Sequence, residues 1–364
     1  MQRFDDSADA ALLPAKVGVD FGAHETRFAL PSRPLLEDDG TVESEKDGEP
    51  RLLTLPTLMS YSREGAVPVQ FSCVGHKALS RRDHMRLVHP YRTSLDRRGK
   101  VLGDFASHLR ELIQKKHEPA PWAVVNCSVG AAPEEMAAKR TLANELFERV
   151  VYADDTFLLA VGLASQEVCK HSILIDIGAT SIRGALMHGE TPSPEERVEV
   201  PFGGEKVDEA LRKSLSIRYP ELLLTPRTLT EIKESLAFVA PERRACELRI
   251  QFRGKERAVD VTEILHDASS ALVPPLLRAA RDVLARCPSD EIEAFQRNIV
   301  LSGGGAELPG IVPRVEEELR ADGFELARVR QVSGSRFLVA RGALRWAHLL
   351  RDDQWSIPLF SFAG

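Results

Sequence analysis

Asp20 and Asp176 each stand at the end of an apolar run and two residues before a glycine. The surrounding stretches, "VGVDFGAHETRFAL" from Val17 and "ILIDIGATSIRGAL" from Ile173, both obey D-x-G-A-x-x-x-R-x-A-L. A strand that delivers a carboxylate and then turns through small residues lets backbone N–H groups approach an anion closely. A carboxylate beside phosphates would repel them. A divalent cation between the two, held by the carboxylate through water, removes that conflict. Two such hairpins could grip a polyphosphate from both sides. A third stretch, "SGGGAELPG" over 302–310, follows an apolar run and opens a helix, so a flat ligand could lie against bare backbone there. Each motif alone reads as an ordinary turn; the ordered set is more specific. No GxxxxGK phosphate loop and no GxGxxG dinucleotide fingerprint occurs.

The elements that must position these residues are legible from periodicity. Val17–Gly22 reads as a buried strand and Thr26–Leu30 as the second strand of a hairpin. The polar stretch from Ser32 to Arg51, acidic over 37–49, reads as an exposed loop. "DFASHLRELIQKKHE" puts Phe105, Leu109, Leu112 and Ile113 on one helical face. "WAVVNCSV" reads as a buried strand, and Pro133 with Glu134 and Glu135 opens a helix running to about Arg149. Ile173–Ile177 is a strand again, "RVEVPFGG" a strand and turn, and 228–240 an amphipathic helix. Residues 247–261 read as a hairpin around Gly254. Residues 262–287 read as helix broken near Pro274 and Pro275, and "NIVLSGGGAELPG" as strand, triple-glycine turn and helix. Strands alternating with helices predict an α/β architecture.

Composition sets outer bounds. A chain of 364 residues, 43% hydrophobic and 28% charged, has material for two cores and a solvated surface. The net charge of −6 argues against nucleic acid as a partner. The basic groups Arg81-Arg82, Arg97-Arg98 with Lys100, and Lys115-Lys116 read as solvated faces. The five cysteines, Cys73, Cys127, Cys169, Cys246 and Cys287, are far apart, which fits reduced thiols in a cytoplasmic protein. The ten histidines form no HExxH or HxxxH pair, so no dedicated transition-metal site is expected. The N-terminus lacks the pattern of a signal peptide or a cationic anchor, and no apolar run is long enough to span a membrane. Direct membrane binding is therefore not expected.

The ordered motifs resemble the actin/MreB family, whose duplicated fold is shared with heat-shock chaperone ATPases and sugar kinases. The resemblance runs from about Val17 to Leu350. "VDFGAHETR" resembles the first phosphate loop, with Arg27 where actin has a phosphate-facing lysine. "LPTLMSY" and "VGHKALSRR" resemble the stretch that follows it. "IDIGATSIRGAL" is similar to the second phosphate loop, "PFGGEKVDEAL" to a double-glycine segment of MreB, "EIKESLAFVA" to a helix of actin, and "NIVLSGGGAELPGIVPRVEEEL" to its adenosine loop.

The resemblance implies roles. Asp20 and Asp176 would organise Mg²⁺ through water. Gly22, Ala23, His24, Gly178, Ala179 and Thr180 would present backbone N–H groups to phosphates. Gly203, Gly204, Lys233, Glu234, Gly303, Gly304, Gly305, Glu307 and Leu308 would frame the nucleoside of ATP or ADP. MreB has a glutamate and actin a glutamine to position the attacking water; here Asp155 aligns best and Asp154 second. An aspartate is one methylene shorter, and Asp155 reads equally as a helix N-cap. Thr180 and His24 stand where the family has smaller residues.

The expected fold is therefore a duplicated actin-like ATPase fold, with mixed sheets flanked by helices around a central nucleotide cleft. Expected boundaries are a tail over 1–16, domain I over 17–170 and 342–364, and domain II over 171–341. Small subdomains are expected near 51–90 and 203–262. The expected function is ATP-dependent, head-to-tail assembly into cytoplasmic filaments with slow hydrolysis. Alternatives are a non-polymerising nucleotide-binding adaptor and a small-molecule kinase. The apolar C-terminal residues Trp355, Ile357, Leu359, Phe360 and Phe362 would dock on their own domain or on a neighbouring subunit.

Overall fold

The computed structural model describes residues 14–31, 41–43, 50–62, 70–80, 85–93, 95–114, 119–127, 132–163, 170–189, 192–222, 224–240, 245–252, 255–332 and 334–356. The N-terminal tail to residue 13, most of the acidic 37–49 stretch, Arg81-Arg82, Lys115-Lys116, Cys169, Gly254 and the apolar residues from Ile357 onward lie outside the described residues. The chain divides into two compact units, Met1–Asp154 with Ala340–Gly364, and Asp155–Val339.

In unit 1, β1 (Lys16–Phe21) and β2 (Glu25–Leu30) form an antiparallel hairpin with Asp20 opposite Arg27. β3 (Thr41–Glu43) and β4 (Arg51–Pro56) continue the sheet past β2. Thus the stretch from Ser32 to Arg51 is not all loop. β4, expected in the small subdomain, belongs to the main sheet. β5 (Met59–Ser62), β6 (Phe71–Val74) and β7 (Met85–Val88) form a separate three-stranded sheet beside α1 (Gly75–Ser80). After α2 (Leu95–Ile113), β8 (Trp122–Cys127) pairs parallel with β1; after α3 (Pro133–Leu146), β9 (Arg149–Asp154) pairs parallel with β8. The helix expected to reach Arg149 ends sooner. Arg149 pairs with Trp122 in the sheet and lays its guanidinium over the Trp122 ring at 4.2 Å. Sheet pairing and stacking override local helical periodicity there.

In unit 2, α4 (Asp155–Gly162) precedes the hairpin of β10 (Lys170–Ile177) and β11 (Ile182–His188), and β12 (Arg197–Val200) pairs with β11. α4 was expected with domain I, yet its contacts group it with unit 2. α5 (Gly204–Arg218) and α6 (Pro226–Leu236) follow, then the hairpin of β13 (Glu247–Phe252) and β14 (Lys255–Asp260). α6 ends four residues before the expected Ala240. The chain leaves it so that Val239 N–H can donate to the Pro309 carbonyl at 2.9 Å. α7 (Thr262–Ser270) and α8 (Val273–Leu284) are separate helices, and Pro274 and Pro275 lie in the first turn of α8, where missing N–H groups cost nothing. α9 (Ile292–Gln296), β15 (Ile299–Ser302), α10 (Ile311–Ala321) and β16 (Val329–Gln331) complete the unit. β15 pairs parallel with β10, and β16 parallel with β15.

The duplication is visible in topology. β4-β2-β1-β8-β9 in unit 1 and β12-β11-β10-β15-β16 in unit 2 have the same order and the same succession of antiparallel and parallel neighbours. In unit 1, Val17, Val19, Phe21, Phe28, Leu30, Leu53 and Leu55 pack with Phe105, Leu109 and Leu142 of α2 and α3. α11 (Leu338–Leu349) covers the other face. A Cβ on Gly18 would lie 2.1 Å from the Ala340 carbonyl oxygen and 2.3 Å from the Leu344 nitrogen, so only glycine admits the helix. Strands covered on both faces read as continuous apolar runs, as β1 does. The first and last described segments of unit 1 also meet. Lys16 lies over the Trp355 ring at 5.6 Å, and Trp355 packs on Trp122 at 5.2 Å between ring centroids. Among the described residues, no helix is long and apolar enough to cross a membrane.

Candidate functional site

In unit 1 the hairpin turn is held from behind. Thr57 Oγ1 donates to the Gly22 carbonyl at 3.1 Å, and Thr57 N–H donates to the His24 carbonyl at 2.8 Å. His89 Nε2 makes a short contact with the Ala23 carbonyl. A carbonyl only accepts, so Nε2 carries the proton. Burial pushes the His89 pKa down to about 4, against the Ala23 carbonyl, which would raise it. The ring is thus neutral near pH 7. In a planar trans peptide the C=O and the next N–H point opposite ways. Tying these three carbonyls to Thr57 and His89 therefore aims the N–H groups of Ala23, His24 and Glu25 to the other side of the turn.

Asp20 is buried beside that turn. Its Oδ1 accepts from Asn126 Nδ2 at 2.9 Å and its Oδ2 from Arg27 Nη1 at 3.1 Å. Asn126 Oδ1 in turn accepts from Phe21 N–H at 2.7 Å. Arg27 also reaches Glu25 Oε2 at 2.5 Å. Burial alone would lower the Arg27 pKa, but the carboxylates of Asp20 and Glu25 raise it above the usual arginine value. The Arg27 Nε is buried with no hydrogen-bond partner among the described residues.

Unit 2 repeats the plan with different parts. Gly178 N–H donates to the Ser181 carbonyl at 3.0 Å, closing the turn, so that amide is already engaged. The carbonyls of Gly178 and Ala179 accept from Gly204 N–H at 3.1 Å and Glu205 N–H at 2.8 Å, the first amides of α5. By the same peptide geometry, the N–H groups of Ala179 and Thr180 face away from α5. Gly203 is forced by this contact, because its Cβ would lie 2.5 Å from the Gly178 oxygen. Lys233 of α6 donates to the Gly204 carbonyl at 3.2 Å and pairs with Asp208 at 2.9 Å. Ser181 Oγ is buried without a hydrogen-bond partner among the described residues.

Asp176 Oδ1 accepts from Ser302 Oγ at 2.9 Å, across the β10–β15 pair. Gly303, at φ +79°, follows; a Cβ there would lie 2.6 Å from the Ile177 oxygen and 2.8 Å from Asp176 Oδ1. At Gly304 a Cβ would meet nothing within 4 Å. Glu307 turns to Ser335 at 3.3 Å and Arg336 at 2.8 Å, and Ser335 also donates to the Gly303 carbonyl at 3.3 Å. Leu308 packs against the core, and Glu234 is exposed on α6.

The two hairpins differ in what their arginine does. Arg27 pairs with the aspartate of its own hairpin, whereas Arg183 contacts Asp155 at the start of α4 and Glu199 at 3.5 Å. Asp155 is buried in the first turn of its helix, and Asp154 is buried at the end of β9. In unit 1 the fold brings together Asp20, Gly22, Ala23, His24 and Arg27. In unit 2 it gathers Asp176, Gly178, Ala179, Thr180, Gly203, Gly204, Lys233 and Gly303. Sequence reading missed Asn126, Ser302, Thr57 and His89. The first two carried a signal, a lone polar residue late in an apolar strand. Thr57 and His89 carried none, since only folding brings them to the turn.

A sequence model of the MreB/Mbl protein family matches residues 85–342. The chain belongs to the MreB/Mbl family. It is similar to the actin-like protein MamK of Paramagnetospirillum magneticum, 28% identical over 291 residues, covering 78% of this chain and 81% of MamK. The structure of a MamK double helical filament matches with a TM-score of 0.78 at 24% identity, covering 93% of this chain and 100% of that one. A non-polymerising point mutant of MamK bound to AMPPNP matches with a TM-score of 0.61, also at 24% identity, covering 92% and 99%. The fold of this MreB/Mbl-family chain is the actin-like one, as the duplicated sheets indicate.

Proposed function

We propose that this MreB/Mbl-family chain binds ATP or ADP through its two hairpins and self-associates head to tail into cytoplasmic filaments, hydrolysing ATP slowly. The observation that carries the reading is the common construction of the turns. Each has its carbonyls held from behind and its next amides aimed the other way, as an anion requires. Arg27 Nε beside the first turn and Ser181 Oγ in the second are each buried without a hydrogen-bond partner among the described residues. Similarity to MamK, which has a filament structure and an AMPPNP-bound mutant structure, supports both halves of the proposal.

Ala23, His24, Ala179 and Thr180 donate backbone N–H groups to phosphate oxygens. Gly22 and Gly178 permit the turns, and Arg27 adds positive charge. Lys233, Glu234, Glu307 and Leu308 frame the nucleoside with Gly203, Gly204, Gly303, Gly304 and Gly305. The carboxylates of Asp20 and Asp176 fit Mg²⁺ held through water. Carboxylate oxygens are the hard donors that Mg²⁺ takes, and such an ion usually keeps several of its waters. When bound, Mg²⁺ would supply neutralisation of the phosphate charge. Hydrolysis is in-line attack of water on the γ-phosphorus, breaking its bond to the bridging oxygen and releasing phosphate. Positioning carries most of such a reaction. Asp155, held in place by Arg183, accepts a hydrogen bond from that water, with Asp154 the neighbouring alternative.

Electron microscopy with sedimentation, comparing Mg-ATP, Mg-ADP and no nucleotide, tests the proposal. Filaments that depend on nucleotide are expected. Protein that stays soluble and featureless across salt and concentration overturns assembly. The Asp155–Arg183 pair favours one second reading, nucleotide binding without turnover, because it engages the carboxylate structurally. Filaments with ATP but no phosphate release would select it.

A further inference from the structure

At the other end of the β10–β11 hairpin, three side chains converge that nucleotide binding does not use. His171 Nε2 lies 3.4 Å from Glu291 Oε2, and His188 Nδ1 lies 3.5 Å from the same oxygen. One ligating atom from each of the three residues falls within 4.8 Å of the others. Glu291 Oε2 is itself buried and has no hydrogen-bond partner among the described residues. A carboxylate oxygen thus sits between two imidazole nitrogens without a hydrogen bond to either. That is the arrangement of lone pairs converging on a shared cation. Donors at about 2.0–2.1 Å from a tetrahedral ion stand roughly 3.3–3.4 Å apart, close to the two histidine–carboxylate separations.

The surroundings hold the rings in place. His188 Nε2 lies 3.3 Å from Glu196 Oε1. Glu196 is anchored by its other oxygen, which accepts from Ser193 N–H at 2.6 Å in a capping box. That contact sets a carboxylate beside His188 Nε2 while Nδ1 faces Glu291, the carboxylate–histidine arrangement that orients metal ligands. His171 is the extra residue of a β-bulge, since Lys170 pairs with His188 and Ser172 with Met187. It is also the one non-glycine residue with positive φ, at +49°, among the described residues. Bulges and left-handed backbone at a non-glycine residue re-aim side chains and recur at functional sites. Phe295 packs against both rings, with centroids 5.7 Å from His171 and 5.0 Å from His188.

We infer that His171, His188 and Glu291 form a binding site for a borderline divalent cation of the Zn²⁺ type, with Glu196 as positioning residue. Two imidazoles and one carboxylate suit Zn²⁺ rather than Mg²⁺ or Ca²⁺, which take oxygen ligands. Three protein ligands leave a position for water. The ion clips the open end of the hairpin to the segment preceding α9. It lies roughly 20 Å along β10 from the Gly178 turn, at the usual strand rise. The inference stands independently of nucleotide binding.

The test is calorimetric titration of full-length, chelator-treated protein with Zn²⁺, in excess Mg²⁺ and without nucleotide. One Zn²⁺ per chain is expected. The His171→Asn/His188→Ala double variant should abolish that event, asparagine being chosen because it tolerates positive φ. Glu196→Gln should weaken binding by about 10–100-fold. Co²⁺ should give the visible absorption of a tetrahedral site in the native protein and not in the double variant. Thermal unfolding of the metal-free forms reads folding separately, and Zn²⁺ should raise the Tm of the native protein alone. Equal Zn²⁺ affinity in the native protein and a folded double variant would place the ion elsewhere and overturn the site. Absence of binding at millimolar Zn²⁺ would do the same. If the double variant does not fold, Glu291→Gln with the Co²⁺ readout decides the matter, and an unchanged spectrum overturns the site.

Discussion

His89 supports the first turn as a neutral ring, and its pKa of about 4 makes that support dependent on pH. The unfolded chain takes up the proton below about 6.5, the folded chain only near 4. Between those values the unfolded state binds more protons, so stability rises with pH and is lost as pH falls through the window. Besides burial, the charges of Arg92 and His24 lower the ring's pKa, and Glu135 opposes them. Acidifying from pH 7 to 5 should cost on the order of 1–2 kcal/mol through this group. Urea unfolding at the two pH values measures it, and His89→Gln should flatten the difference. A slope unchanged in the variant would move the pH effect to another group. A second residue-scale prediction concerns Asp155. Asp155→Asn should leave nucleotide affinity within about threefold and lower phosphate release about tenfold or more, the range of a lost general base or water-positioning group. Unchanged release would assign Asp155 a structural role with Arg183.

Among the elements, the glycine turns separate stability from binding. A Cβ on Gly203 would collide with backbone of the second turn, so Gly203→Ala should destabilise the protein by about 2 kcal/mol or more, read as a lowered denaturant midpoint. Gly304 has open space where its Cβ would go. Gly304→Ala should keep the native Tm within a few degrees and yet weaken nucleotide binding severalfold, because the methyl group would enter the open space where we propose the nucleoside lies. Fluorescent-nucleotide titration beside thermal unfolding makes the comparison. Normal affinity in a stable Gly304→Ala protein removes that loop from the site. The hairpins, the α/β alternation and the triple-glycine turn were all legible in the residues. The early end of α3 was not, because the Arg149–Trp122 stacking that stops it is a contact between distant segments. β3 was missed for a similar reason: its short backbone pairing with β4 stands inside a polar stretch that reads as loop.

At the scale of the whole chain, the last described segment of unit 1 packs back on its first strand. Trp355 is 3% exposed, packed on Trp122 and beneath Lys16, with α11 laid across Gly18. Trp355→Ala should cost about 3–5 kcal/mol, as large aromatic truncations in cores do, while Trp355→Phe should keep most of the packing. Denaturant unfolding of the two variants checks this. A loss confined to filament formation, with stability intact, would instead put Trp355 at a contact between subunits.

What the amino-acid order determined by itself was the doubled D-x-G-A hairpin and the strand patterns that carry it. Strand periodicity, glycine and the position of the carboxylate in the motif are local properties, and they repeat because the topology repeats. What only the tertiary structure decided was the partner each side chain takes. Arg27 and Arg183 occupy the same place in the motif, yet one binds the aspartate across its hairpin and the other reaches Asp155. Thr57, His89 and the start of α5 hold the turns from remote parts of the chain. His171, His188 and Glu291 obey no metal-ligand spacing in sequence, and a bulge, a strand end and a helix start bring them to one point. Register sets which residues oppose each other in a hairpin. Directions and distances between segments far apart in sequence are set by packing, which no short pattern encodes.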